Sequence, residues 1–177
     1  MTRTIILVDG SNFYFKLKEL KLHHLLEFSF SSFAQFLAGK TKIVQATYYI
    51  GAVKAGRSEK SKILHANQQK LLSRLRSQGF TYYLGYLLKS DGVYKEKGVD
   101  VKIATDLLLG ACQDKYDRAF LVSSDSDLVP AVEGAQELGK IVTYVGFKHQ
   151  PSYALLQTCR RSMLLTKEEL RLFVKKA

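Results

Sequence analysis

Short apolar runs alternate along the chain with apolar positions at helical spacing. Residues 5–8 (Ile5, Ile6, Leu7, Val8) form a continuous apolar run, the pattern of a strand buried on both faces. Ser11 or Asn12 can cap a helix running to about Leu20, and the serines at 29–32 can open a second helix that ends near Gly39. Residues 43–50 are rich in β-branched and aromatic side chains and predict a second strand, followed by a loop over 51–58. Ile63, Leu64, Leu71, Leu72 and Leu75 fall at helical spacing, and Gly79 stops that helix.

The second half repeats the alternation. Residues 80–88 predict a third strand, and Ser90, Asp91 and Gly92 signal a turn into a small hairpin. Residues 99–112 read as a helix, 118–123 as a strand, and 128–138 as a helix with Pro130 in its first turn. A strand over 141–146, a helix over 152–158 and a short strand over 162–165 follow. Thr166 and Glu169 have the spacing of a capping box opening a final helix. Strands alternating with helices predict a three-layer α/β fold with a mainly parallel sheet. A length of 177 residues fits one domain over 1–177, with 148–177 expected as a C-terminal helical extension packed on it.

Charge adds an asymmetry. The net charge is +11, and residues 1–90 hold 14 Lys/Arg against 4 Asp/Glu, whereas residues 91–177 hold 13 against 12. The first half therefore supplies a positive field that attracts polyanions, and the second half supplies most carboxylates. Cys112 and Cys159 have no cysteine neighbours at metal-ligand spacing, which favours a reducing compartment. The amino terminus lacks the shape of a signal peptide, and its apolar run is far too short to span a membrane. A soluble, cytoplasmic chain without membrane attachment is the expectation.

Four acids stand out within this basic chain. Asp9 directly follows the first apolar run, and Asp125 and Asp127 follow residues 118–123. Asp100 falls in the first turn of its helix. In open α/β sheets, ligands bind outside the carboxyl ends of the strands. Carboxylates delivered there suit a hard divalent cation, Mg²⁺ or Mn²⁺. Helix and turn capping is the competing structural use of Asp9 and of one of the Asp125/Asp127 pair, and the helix dipole is that of Asp100. Asp106 lies six residues past Asp100, on a different face, where it can orient a base or metal water or pair with a lysine. His23 and His24, adjacent in sequence, would diverge on a helix and are not taken as a metal site.

Val8-Asp9-Gly10-Ser11-Asn12-Phe13, Lys97-Gly98-Val99-Asp100-Val101 with Asp106, and Ser123-Ser124-Asp125-Ser126-Asp127-Leu128-Val129-Pro130 together resemble the NYN domain family. That family is the LabA-like branch of the PIN-like nuclease superfamily, and the resemblance covers about residues 3–147. It implies a Rossmann-like (PIN-like) parallel sheet and a metal-dependent ribonuclease site. By motif, Asp9, Asp100, Asp125 and Asp127 would bind Mg²⁺ or Mn²⁺ and Asn12 would assist catalysis, with Ser123 and Asp106 supporting them. Ser124 stands where the family usually has glycine, and Leu128 where it has an aromatic ring.

On this reading RNA, single-stranded or structured, is the partner. Lys54, Arg57, Lys97 and Arg160 are the candidate substrate-binding cations, and a homodimer is compatible with the sequence. The alternative is a catalytically weak or inactive RNA-binding or adaptor module on the same fold. The strand tyrosines Tyr48, Tyr49, Tyr82, Tyr83 and Tyr86 are expected in the core or on the sheet surface rather than as base-stacking platforms. Neither a Walker A lysine motif nor Gly-x-Gly-x-x-Gly is present, so no nucleotide cofactor is indicated.

Overall fold

Ile5 and Leu7 point to one face of the first strand, Ile6 and Val8 to the other, and all four are buried. This is the two-sided burial of a central parallel strand. A computed structural model describes residues 1–54, 56–90 and 93–174. The chain runs β1 (Arg3–Asp9), α1 (Gly10–Glu19), α2 (Phe30–Ala38), β2 (Lys42–Gly51), α3 (Glu59–Ser77), β3 (Thr81–Ser90) and β4 (Val93–Lys97). It continues with α4 (Val99–Cys112), β5 (Arg118–Val122), α5 (Val129–Glu137), β6 (Ile141–Phe147), α6 (Tyr153–Thr158), β7 (Arg161–Leu165) and α7 (Lys167–Arg171).

Among the described residues, seven strands form one sheet in the order β4-β3-β2-β1-β5-β6-β7. Six are parallel, and β4 returns antiparallel to β3. The hairpin predicted after the third strand is therefore present, although its turn at Asp91 and Gly92 lies outside the described residues. β1 sits between β2 and β5, so successive connections leave β1 in opposite directions. This makes the carboxyl ends of β1 and β5 a topological switch point, where open α/β sheets place their ligands.

The two sheet faces carry separate cores. Phe13, Leu17, Phe28, Phe30, Phe33 and Leu75 pack with Ile6 and Val8 on one face. Val99, Ile103, Leu107, Leu128, Val132 and Leu155 pack with Ile5 and Leu7 on the other. The result is the three-layer α/β fold that the hydrophobic pattern predicts. After β6, the short strand expected over 162–165 is present as β7, between α6 and α7. β7 pairs in parallel with β6, and Leu165 is buried against the first core. The apolar run Met163–Leu165 extends the sheet because β6 otherwise offers an unpaired edge. Among the described residues, no helix is long and apolar enough to cross a membrane.

The amino-terminal edge of the sheet is closed by charge. Arg3 donates to Asp117 at 2.7 Å and to Asp114 at 3.0 Å, and Lys140 also pairs with Asp114. The Arg3 hydrogen bonds hold the Asp117 carboxyl down at about 2. The carboxyl-terminal edge is organised differently.

Candidate functional site

At the end of β1, Asp9 caps α1: its Oδ1 accepts the Asn12 N–H at 3.0 Å. Its other oxygen, Oδ2, accepts the Ser123 hydroxyl at 2.8 Å. Val8 and Val122 are register partners, so Asp9 and Ser123 leave adjacent parallel strands side by side. Gly10 is required there. A Cβ at this position would lie 2.3 Å from the Tyr48 ring and 2.7 Å from the Tyr49 carbonyl oxygen.

Ser123 ties the two strand ends together, since its hydroxyl oxygen also accepts the Asp125 N–H at 3.1 Å. Asp125 then caps a single 3-10 turn over Ser126–Leu128 by accepting the Asp127 N–H at 2.9 Å. That turn delays α5 by one residue relative to the predicted start. Asn12 closes the loop from the other side: its Oδ1 accepts the Ser124 N–H at 3.1 Å. The Ser124 hydroxyl lies 3.4 Å from that of Tyr144, and Leu128 is buried in the core, so both residues have defined places.

The third contribution comes from the start of α4. Gly98 takes a left-handed φ of 85° and turns the chain from β4 directly into the helix. Asp100 thereby falls in the first turn, exposed at the same sheet edge. The electrostatics tie it to the others. Burial pushes the Asp9 carboxyl up to about 6, against the pull of the Asn12 and Ser123 hydrogen bonds, and the charges of Asp100 and Asp125 add to the rise. Asp100 is raised by loss of solvent and then by Asp125 and Asp127. Acids close enough to raise a neighbour's proton affinity share a space that favours a proton or a cation.

The donor set suits a hard cation, being carboxylate oxygens from three elements. Among the described residues, no group of three or more His, Cys, Asp or Glu already stands in ligating arrangement. Capping does not exhaust these acids, because each ionised carboxylate offers about four acceptor positions.

The profile of the NYN domain matches residues 3–165. The chain belongs to the NYN domain family. A solved protein of unknown function from Vibrio parahaemolyticus is 27% identical to this NYN domain, with a TM-score of 0.68 over 93% of both chains. A flap endonuclease of bacteriophage T5, solved with DNA and metal ions, is 20% identical. Its TM-score is 0.36 over 70% of this chain and 49% of that one, too distant to bear on the site. No curated protein matches the chain.

In this NYN domain the candidate cations divide. Lys54 and Arg57 are exposed in the loop after β2, and Lys97 is exposed at the end of β4, all at the carboxyl edge. Arg160 is elsewhere. Its backbone N–H and guanidinium bind Gln136 at the far end of α5, about 11 Å along the axis from the aspartates. The physical reason is that α5 starts at the site and runs away from it. Asp106 accepts from Tyr49 at 2.9 Å and from Lys102 at 2.5 Å, so its hydrogen bonds fix α4 against β2. His23 and His24 lie in the loop after α1, not on a helix, and their rings stack at 4.9 Å. Tyr48 and Tyr49 are fully buried, in line with a core role. The sequence reading missed Gly10 and Tyr144. A glycine directly after a strand-terminal acid was a usable signal for Gly10. Nothing local marks a tyrosine hydroxyl that receives the Ser152 N–H at 2.8 Å and braces Ser124.

Proposed function

We propose that this NYN domain is a metal-dependent ribonuclease that hydrolyses RNA phosphodiester bonds at the aspartate cluster. One observation carries the reading: the Asp9 and Asp100 carboxyls are both raised above the ordinary carboxylate value, first by burial and then by neighbouring acids, Asp100 and Asp125 for Asp9, Asp125 and Asp127 for Asp100. Such crowding of acids is kept where a cation relieves it. Membership of the NYN family supports the nuclease class.

The four aspartates would hold Mg²⁺ or Mn²⁺. When bound, such an ion activates water and steadies charge on the phosphoryl and leaving oxygens. The chain's own residues supply position. Ser123 ties the Asp9 carboxylate to the backbone N–H of Asp125 and so links the two strand ends. Asn12, its carbonyl oxygen engaged by Ser124, presents its amide NH₂ to a phosphate oxygen. Lys97, Lys54 and Arg57 receive the flanking phosphates as point charges and donors.

The test is cleavage of end-labelled RNAs, with matched DNA, in Mg²⁺, Mn²⁺ or EDTA, beside Asp125→Asn purified identically. Metal-dependent RNA cleavage lost in Asp125→Asn is the expected result. Salt-sensitive RNA binding without cleavage would replace it with the RNA-binding or adaptor reading.

A further inference from the structure

A cavity of about 680 Å³ opens at the same sheet edge as the aspartates. Gly10 and Ser11, which directly follow Asp9, form one wall, and the carboxyl end of β2 forms the floor. Its volume falls in the range of about 300–1,000 Å³ typical of small-molecule sites. The charge cluster does not use this space.

The lining is mostly ring and aliphatic surface. Tyr14 packs edge-on against Phe15 at 5.6 Å and against His23 at 6.0 Å, and His23 stacks on His24. Phe15 remains 58% exposed although it is a large apolar ring. Among the described residues, the buried Nδ1 of His23 has no hydrogen-bond partner. Buried polar atoms are rarely left so, and ones that are call for a reason. Opposite, α3 contributes Leu64 and the exposed amide of Asn67. Gln68 beside it is committed, accepting from Val53 N–H at 2.8 Å and donating to the Gly51 carbonyl at 2.7 Å. That clamp holds the wall rigid.

The rim is cationic. Lys60 precedes Leu64 by four residues and Asn67 by seven, so it extends the same face of α3 by one turn. Arg57 and Lys54 lie in the loop just before it and are exposed. Rings and an apolar wall inside, an amide and the Glu27 carboxylate as donor and acceptor, and positive charge outside fit one chemistry. That chemistry is an unpaired base still attached to its phosphate backbone.

We infer that this cavity takes one unstacked nucleobase of single-stranded RNA, next to the phosphate presented to the aspartates. The inference rests on RNA being the ligand of that edge. It assigns Phe15 and His24 as stacking surface and Asn67 as a contact to the base edge. The cavity thereby sets where along a strand the aspartates engage.

The test is fluorescence anisotropy of a short labelled single-stranded RNA in EDTA, with one abasic nucleotide moved along the strand. Wild type is compared with Phe15→Ala and Asn67→Ala, whose exposed positions leave the fold intact by circular dichroism. Wild type is expected to lose about tenfold in affinity when one particular position is abasic. Phe15→Ala is expected to bind intact RNA about tenfold more weakly and to stop distinguishing the two RNAs. Equal binding of intact and abasic strands at every position overturns the inference, as does discrimination that survives in both variants. Cleavage in Mn²⁺ without discrimination removes the subsite and leaves the nuclease reading standing. Discrimination without cleavage does the reverse, and no RNA binding removes both.

Discussion

Asp9 is the residue at which folding and chemistry oppose each other. Its carboxyl titrates near 6 in the folded chain, against an ordinary value of 3.8. The folded state therefore holds the proton more tightly than the unfolded state. The associated stability is fully present below about pH 3.8 and is lost as pH rises through about 6. Two pH units correspond to about 3 kcal/mol, as an order of magnitude. In EDTA, Asp9→Asn should unfold at higher temperature than wild type at pH 8. The gap should close by pH 4, and thermal melts at the two pH values measure it. Cleavage should be lost in the same variant, and wild-type cleavage should fall as pH drops below about 6. Ser123→Ala removes a hydroxyl that serves Asp9 and Asp125 together. It should cost about 1–2 kcal/mol in urea unfolding and lower kcat more than it raises KM, with Ser123→Thr recovering part of both. Gly10→Ala should be worse for stability, by about 2–3 kcal/mol in the same assay, because its Cβ meets the Tyr49 backbone as well as the Tyr48 ring.

At the scale of elements, α4 decides whether Asp100 joins the other acids. Its start is set by Gly98, whose φ of 85° strains any side chain. Gly98→Ala should cost about 1–2 kcal/mol in chemical denaturation, and Gly98→Asn less, since asparagine tolerates the left-handed region. The variants should lose Mn²⁺-dependent activity in the same order, because the helix start carries a carboxylate. Helices and strands such as α4 and β1 were legible in the sequence because period and capping are local signals. So was the place of the aspartates, next to a strand end or a helix start, whereas their role is the proposal above. What escaped depends on distant partners. Nothing near Arg160 marks that α5 carries its binding partner Gln136 away from the site. The stacked His23 and His24 were hidden because the loop after α1 has no period to read.

For the whole molecule, the charge asymmetry in sequence becomes a polarity in space. The parallel sheet sends the loops after β1, β2 and β5 to one edge, which carries Lys54, Arg57 and Lys60 as well as the aspartates. At the opposite edge, Arg3 and Lys140 are spent on Asp114 and Asp117. The strands separate the two edges by about 20–30 Å, beyond a Debye length of about 8 Å at physiological salt. The edges should therefore act independently on a bound polyanion. Reversing Lys54, Arg57 and Lys60 to glutamate together should weaken single-stranded RNA binding and flatten its dependence on salt. With about 0.7 counterions released per phosphate contact, three lost contacts lower the slope of log K against log salt by about 2. Reversing Lys42 and Lys115, exposed at the amino-terminal edge, should change the slope by less than half of that. Equal effects from the two sets would mean that overall charge, not the carboxyl edge, draws the RNA. A slope indifferent to both would mean that RNA is not the ligand of this face.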